Sequence, residues 1–202
     1  MTEFYLVRHA LPKSGFLDPG LSEEGCQQAH LLGKWLAEER FDAVVASPLR
    51  RAVETAKLIC EVIGHNSCHY LSELKELQSG DDKEYVPAEQ LCTSDPVSLA
   101  LADGRYADVL PRHQWAEFQE RALVCRETLM RCYPSGKVLV VAHGGIINAV
   151  LASIIGLDQI FWHYPGYTSI SRITRLASGN VVLRSVNEMP HLSSVFATGG
   201  AS

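Results

Sequence analysis

Residues 137–156 read KVLVVAHGGIINAVLASIIG, two apolar stretches joined through His143 and a pair of glycines. The first stretch is short, rich in valine and does not alternate between apolar and polar residues, which is typical of a buried strand in a parallel sheet. The second stretch, from Gly145 to Gly156, is apolar on every side and predicts a buried helix. A strand that runs directly into a helix indicates an α/β fold.

Two further apolar runs resemble the first one, and helical patterns separate them along the chain. The runs are FYLVR at 4–8 and DAVVAS at 42–47. The helical patterns cover 21–40, 47–64 and 115–132. Ser22 is predicted to cap the first of these helices, and Ser47 the second, with Pro48 at its first helical position. Strands that alternate with helices in this order predict a mainly parallel sheet.

The rest of the chain completes one predicted domain over residues 1–202. Residues 169–175 and 181–186 flank a Ser-Gly-Asn turn and predict a closing antiparallel hairpin. The region from about 76 to 113 has scattered Gly, Pro and Asp and little periodicity, so we expect an irregular lobe over one end of the sheet. The predicted architecture is a three-layer α/β/α fold with this lobe over the active site.

Composition excludes several classes of partner. The formal net charge is −5, so no global basic field attracts nucleic acid or an anionic membrane. The most apolar run is too short to span a bilayer, and the first ten residues do not have the pattern of a signal peptide. The six cysteines form no Cys-x-x-Cys pair, so we expect reduced thiols in a cytoplasmic protein. The sequence leaves the oligomeric state open.

Polar side chains follow all three predicted strands. The strands end at Arg8-His9, just before Arg50-Arg51, and at His143. Because the carboxyl ends of parallel strands lie at one edge of a sheet, these side chains are expected to converge. Two guanidinium groups can hold a phosphoryl group, and a neutral imidazole can attack its phosphorus. The second imidazole and the N-terminus of the predicted helix can stabilise the charge that develops.

Four motifs in order resemble the histidine phosphatase superfamily, the phosphoglycerate mutase-like proteins. They are LVRHA, DPGLSEEGCQQA, SPLRRAVETA and VVAHGG. The resemblance implies a phosphomonoester hydrolase that acts on a small phosphorylated substrate, without metal or cofactor. It implies His9 as the nucleophile that becomes phosphohistidine, and Arg8, Arg51 and His143 as the phosphate pocket. In the family motif the arginine directly before Ala belongs to the pocket, which selects Arg51 over Arg50.

The resemblance also implies a proton donor after the second helix, in a Leu-x-Glu setting. The segment LSELKEL places Glu73 there, and Glu76 remains a competitor. The family's usual polar residues after Arg-His are absent; Lys13 or Ser14 are candidates to replace them.

Alternative functions stay open at this point. One is a phosphoglycerate-type phosphomutase, and another is a catalytically weak module that binds a phosphorylated ligand on the same fold. A third is a metal hydrolase that uses the segment HNSCH at 65–69, although no fourth ligand has matching spacing. Tyr164 and Tyr167 are candidates for a pocket wall. The cationic candidates to bind a second anionic group of a substrate are Lys83, Arg105, Arg112 and His113.

Overall fold

The protein is described from a computed structural model that covers residues 1–76, 84, 86, 91–108 and 115–192. Lys83, Arg112 and His113 lie outside the described residues. Among the described residues, no helix combines the length and the apolar character needed to cross a membrane.

Six strands form one sheet in the described part of the chain. They are β1 (Thr2–Arg8), β2 (Ala43–Ala46), β3 (His69–Tyr70), β4 (Gly136–Ala142), β5 (Ile170–Arg175) and β6 (Val181–Glu188). Their order across the sheet is β3-β2-β4-β1-β5-β6. The first four strands are parallel, and β5 pairs antiparallel with both β1 and β6. The predicted mainly parallel sheet and its C-terminal hairpin are therefore confirmed.

Five helices accompany this sheet within the described ranges. They are α1 (Glu23–Trp35), α2 (Arg50–Ile63), α3 (Pro96–Ala102), α4 (Trp115–Cys132) and α5 (Gly144–Ile155). Side chains along β1 alternate between two core clusters. Leu6 packs on one face with Phe118 of α4 and with α5. Val7 packs on the other face with Leu32 of α1 and Ile59 of α2. This alternation produces the three predicted layers, because each face of the sheet buries its own pair of helices.

The ends of the helices follow the sequence only in part. Ser22 caps α1 as predicted, since its Oγ accepts the backbone N–H of Gly25 at 3.0 Å. The prediction for α2 is wrong, because the helix begins at Arg50, its N-cap is Leu49, and no side chain of the N-cap residue bonds to it. Instead, the backbone N–H of Arg50 donates to the Asp18 carboxylate at 3.0 Å.

The lobe is more regular than expected in one place. Helix α3 lies within it and is capped by Asp95, whose Oδ1 accepts the backbone N–H of Val97 at 2.8 Å. Pro96 occupies the first turn, where its missing N–H does no harm. The helix is only seven residues long, so an apolar period could not reveal it.

Candidate active site

The two predicted histidines meet because their strands are neighbours. β1 and β4 pair in register with Arg8 opposite Ala142, so His9 and His143 follow the same edge of the sheet. Their ring centroids are 5.0 Å apart. Both residues are buried, with exposures of 2% and 0%. The parallel pairing thus brings together two imidazoles that are separated by more than half of the chain.

Hydrogen bonds fix the tautomer of His9. Its Nδ1 lies 2.8 Å from the carbonyl oxygen of Ala10. A carbonyl can only accept, so Nδ1 carries the proton and Nε2 keeps its lone pair. Arg51 Nε donates to that Nε2 at 3.2 Å. His9 therefore presents a nucleophilic nitrogen beside a guanidinium, in the protonation state that attack on phosphorus requires.

The electrostatic surroundings hold His9 in the neutral form. Burial is the largest cause that lowers the pKa of His9 well below its usual value, and the charges of Arg51 and Arg8 lower it further. The hydrogen bond to the Ala10 carbonyl acts in the opposite direction and does not prevail. The cost of a third positive charge in a buried cationic site keeps the imidazole unprotonated at neutral pH.

The two ring nitrogens of His143 differ in their hydrogen bonding. Its Nε2 lies 2.8 Å from Ser47 Oγ, at the end of β2. Among the described residues, Nδ1 has no hydrogen-bond partner. Burial lowers the pKa of His143 well below its usual value, and Arg51, His9 and Arg8 add to this effect. Ser47 thus orients the ring, and its Oγ also accepts the backbone N–H of Leu49 at 3.3 Å, just before α2 begins.

The two candidate phosphate-binding arginines are held in different ways. Arg51 lies in the first turn of α2 and is 5% exposed, whereas the neighbouring Arg50 pairs on the surface with Glu54 at 2.7 Å. Arg8 Nη1 donates to the Pro165 carbonyl at 2.5 Å. Its guanidinium carbon lies 3.8 Å from the ring centroid of Tyr167, within the range of a cation–π contact.

The N-terminus of α5 completes the cluster. The helix begins at Gly144, directly after His143, and the backbone N–H of Gly145 donates to Glu76 Oε2 at 2.9 Å. A Cβ added to Gly145 would collide with the Glu76 carboxylate and would lie 3.1 Å from Phe161 Cζ. The glycine therefore permits a close approach at a helix end whose dipole favours an anion.

Glu73 and Glu76 occupy different environments. Glu76 lines the same cavity as His9 and Arg51, whereas Glu73 is not among its lining residues. The Glu73 carboxylate instead accepts from Ser72 Oγ at 2.8 Å. Burial is the largest cause that raises the pKa of the Cys125 thiol to about 12, and the charge of Glu73 raises it further. Both glutamates stand in a Leu-x-Glu triplet, so this signal alone could not separate them.

Residues outside the predicted set also support the site. The Thr55 hydroxyl accepts the backbone N–H of Ala10 at 3.0 Å and donates to the Arg51 carbonyl at 2.7 Å, which ties the His9 loop to α2. Tyr164 lines the cavity, as the sequence suggested. Lys13 and Ser14 are exposed and do not line it.

The HNSCH segment does not gather metal ligands. His65 Nδ1 bonds to the Ser67 carbonyl at 2.8 Å, and the His69 ring contacts the ring of Tyr133. In the described ranges, no group of three or more His, Cys, Asp or Glu side chains is placed to hold a metal ion.

Comparisons with known proteins agree with this geometry. A family model described as "Histidine phosphatase superfamily (branch 1)" matches residues 4–188. The uncharacterized phosphatase PhoE of Bacillus subtilis is 32% identical over 165 residues, which are 78% of this chain and 80% of that protein. The probable phosphoglycerate mutase GpmB of Erwinia tasmaniensis is 28% identical over 169 residues, covering 78% of this chain and 76% of that one.

A solved structure has the same fold. Bacillus stearothermophilus YhfR superposes with a TM-score of 0.75 at 24% identity, over 96% of this chain and 100% of that chain.

Proposed function

The chain belongs to the histidine phosphatase superfamily, and we propose that it hydrolyses small phosphomonoesters through a phosphohistidine on His9. The family predicted from the four motifs is confirmed by the match over residues 4–188, and the phosphatase class by the PhoE relative. The observation that carries the proposed mechanism is His9 Nε2, unprotonated and 3.2 Å from Arg51 Nε in a cavity at a helix N-terminus.

In the first proposed step, Arg8, Arg51 and His143 bind the phosphoryl oxygens of the substrate. The Nε–H of Arg51 turns from His9 Nε2 to a phosphoryl oxygen, which frees the lone pair of Nε2. His9 Nε2 then attacks phosphorus, and the P–N bond forms as the bond to the alcohol oxygen breaks. The proton stays on His9 Nδ1, which donates it in a hydrogen bond to the Ala10 carbonyl, and this bond stabilises the cationic ring of the phosphohistidine. His143 donates a proton in a hydrogen bond to an oxygen that becomes more negative in the transition state.

We assign the proton transfers to Glu76 rather than to Glu73. Glu76 lines the cavity, and its Oε2 accepts the Gly145 N–H. A phosphoryl oxygen can replace Glu76 as the acceptor of this N–H, which releases the carboxyl group to protonate the leaving alcohol. In the second step the Glu76 carboxylate takes a proton from water, the water oxygen attacks phosphorus, and the P–N bond breaks. Inorganic phosphate leaves and neutral His9 returns.

A quenched reaction with a radiolabelled phosphomonoester tests this proposal. We expect a phosphoenzyme that is labile in acid and stable in base, as a phosphoramidate is. His9→Ala should remove both the label and the turnover. His143→Ala should keep the label but slow its formation by about 10²–10³-fold, because one charge-stabilising donor is lost. A label that persists in His9→Ala would refute the assignment of the nucleophile.

The same assay separates hydrolysis from the alternatives. The similarity to the GpmB relative makes a phosphomutase the second candidate function. We expect free phosphate to appear in proportion to the alcohol released. Interconversion of 2- and 3-phosphoglycerate without free phosphate would establish a mutase, and binding of phosphate without any turnover would establish a ligand-binding module.

A further inference from the structure

The active-site cavity has a cationic part and an apolar part. It encloses about 210 Å³, and Arg8 and Arg51 lie beside His9. The described residues that line the cavity also include Glu76 and the two glycines of α5, and the remaining ones are apolar or aromatic. These residues are Val86, Leu91, Val97, Phe161, Tyr164 and Pro165. They come from the lobe and from the segment that joins α5 to β5.

The charges of the described lining favour an uncharged alcohol part in the substrate. The two arginines lie beside the nucleophile, where a phosphoryl dianion needs them. Arg105, the described cation of the lobe that could bind a second anion, is exposed and pairs with Asp108 at 2.7 Å and Asp103 at 3.2 Å. A substrate carboxylate would lose water against apolar walls and would lie near the carboxyl group of Glu76, both of which are unfavourable.

The loop that follows His9 carries two exposed apolar side chains. Phe16 and Leu17 are 57% and 64% exposed in the loop that follows His9. A Cβ on the adjacent Gly15 would lie 3.8 Å from Glu84 Oε2, so this loop borders the chain segment that carries Val86.

We propose that the substrate is a phosphomonoester whose alcohol part is apolar and uncharged. The phosphate binds at Arg8 and Arg51, and the alcohol part packs against Val97 and Phe161. This inference rests on the proposed function, because it assigns the apolar wall to the leaving group of the same reaction.

A homologous series of alkyl phosphates, from methyl to hexyl, tests the inference. The parent alcohols have similar acidity, so the chemical step stays nearly constant while the apolar area grows. Burial of each methylene should raise kcat/KM by up to about fourfold until the chain outgrows the cavity. Hexyl phosphate should also exceed 3-phosphoglycerate, whose alcohol part carries a carboxylate. A flat series, or 3-phosphoglycerate at or above hexyl phosphate, would overturn the inference.

A pair of variants on α3 sharpens the test. Val97→Lys places a cation in the cavity wall and should lower the ratio of hexyl to methyl phosphate turnover by about tenfold. The same variant should raise the turnover of 3-phosphoglycerate. Leu99→Lys is the matched control, because Leu99 lies on the same helix, is 46% exposed and does not line the cavity. An equal effect of both variants would count against the assigned wall.

Two results keep this inference separate from the proposed function. If methyl phosphate labels His9 but chain length has no effect, the apolar wall does not bind the alcohol part and only this inference fails. If no ester of the series labels His9 or releases phosphate, the proposed function itself fails, and the inference fails with it.

Discussion

His9 shows how a single residue becomes a nucleophile through its neighbours. An exposed histidine is partly protonated near neutral pH, and its two nitrogens exchange the proton freely. Here the Ala10 carbonyl holds the proton on Nδ1, and burial with two arginines keeps it off Nε2. The lowered pKa means that the nucleophile stays available at acidities where an ordinary histidine is charged. Adjacent Arg8 and nearby Arg51 made this shift predictable from the sequence, but the hydrogen bond needed the fold.

The proton donor is the residue on which sequence and geometry differ most. Glu76→Gln keeps an oxygen that accepts the Gly145 N–H but removes the acidic proton. It should slow phosphorylation by alkyl phosphates by about 10²–10⁴-fold, which is the usual contribution of a general acid. Phosphorylation by p-nitrophenyl phosphate should be largely spared, because p-nitrophenolate leaves without a proton. Pre-steady-state bursts of alcohol or nitrophenolate release measure both rates.

Glu73→Gln is the matched control for this experiment, with the same chemical change one Leu-x-Glu triplet earlier. We expect near-wild-type rates with both kinds of leaving group, since Glu73 bonds to Ser72 and does not line the cavity. If the dependence on the leaving group is found in Glu73→Gln and not in Glu76→Gln, the donor is Glu73 and the geometric assignment is incorrect.

At the scale of elements, β4 and α5 form the unit that carries the reaction. The strand ends at Ala142, His143 stands at the N-cap, and the helix begins at once with Gly144. This short connection places an imidazole and two backbone N–H groups at one point without a loop between them. Gly145 has a specific task there, because any side chain would occupy the position of the Glu76 carboxylate.

Gly145→Ala tests this reading of the helix N-terminus. Alanine favours the helix, so the fold should persist, while the new methyl group displaces the flexible Glu76 carboxylate. Turnover of alkyl phosphates should fall by about 10²-fold or more, because the general acid is misplaced. Gly144→Ala should have a smaller effect, since its Cβ would meet Arg8 Nε at an ordinary 3.6 Å. Equal losses in the two variants, measured with equal melting temperatures, would contradict this role of Gly145.

The elements also show where sequence reasoning succeeds and where it stops. Short apolar runs without alternation predict β1, β2 and β4, because buried parallel strands need apolar residues on both faces. A local capping rule predicts that α2 begins after Ser47, whereas the helix begins at Arg50; the bond of Ser47 to His143, 96 positions away in the chain, leaves no local sequence signal. The seven-residue α3 is too short for a periodic signal, and its Asp95-Pro96 start was the only indication. Choosing between Glu73 and Glu76 required knowing which side of a single turn faces the cavity.

At the scale of the whole molecule, the layered fold encloses several histidines in neutral form. His9 lines the cavity at the edge of the sheet, and the ring of His143 lies 5.0 Å from the ring of His9. Burial lowers the pKa of His163 and of His191 to about 4. His191 Nε2 donates to the Thr168 hydroxyl at 2.8 Å, since that hydroxyl already donates to the Tyr167 carbonyl. Thr168 in turn donates its backbone N–H to the Arg8 carbonyl at 3.1 Å. His191 is therefore linked through Thr168 to the backbone of Arg8 in the active site.

These neutral histidines predict that the fold loses stability in mild acid. An unfolded histidine has a pKa of about 6.5, so below this pH the unfolded chain binds more protons than the folded chain. The free energy of unfolding should therefore fall as the pH drops from about 6.5 toward 4, the folded pKa of His163 and His191.

Carboxylates contribute to the same trend, so a variant must isolate the part of the pH dependence that comes from the histidines. His191→Gln can still donate to Thr168 but cannot take up the proton, and its slope should be smaller by at most about 1.4 kcal/mol per pH unit. Urea unfolding between pH 7.5 and 4.5 measures the slope, with His30→Gln as the same substitution at an exposed position of α1 for comparison. A slope for His191→Gln equal to that of the wild type would show that His191 does not take up its proton on unfolding.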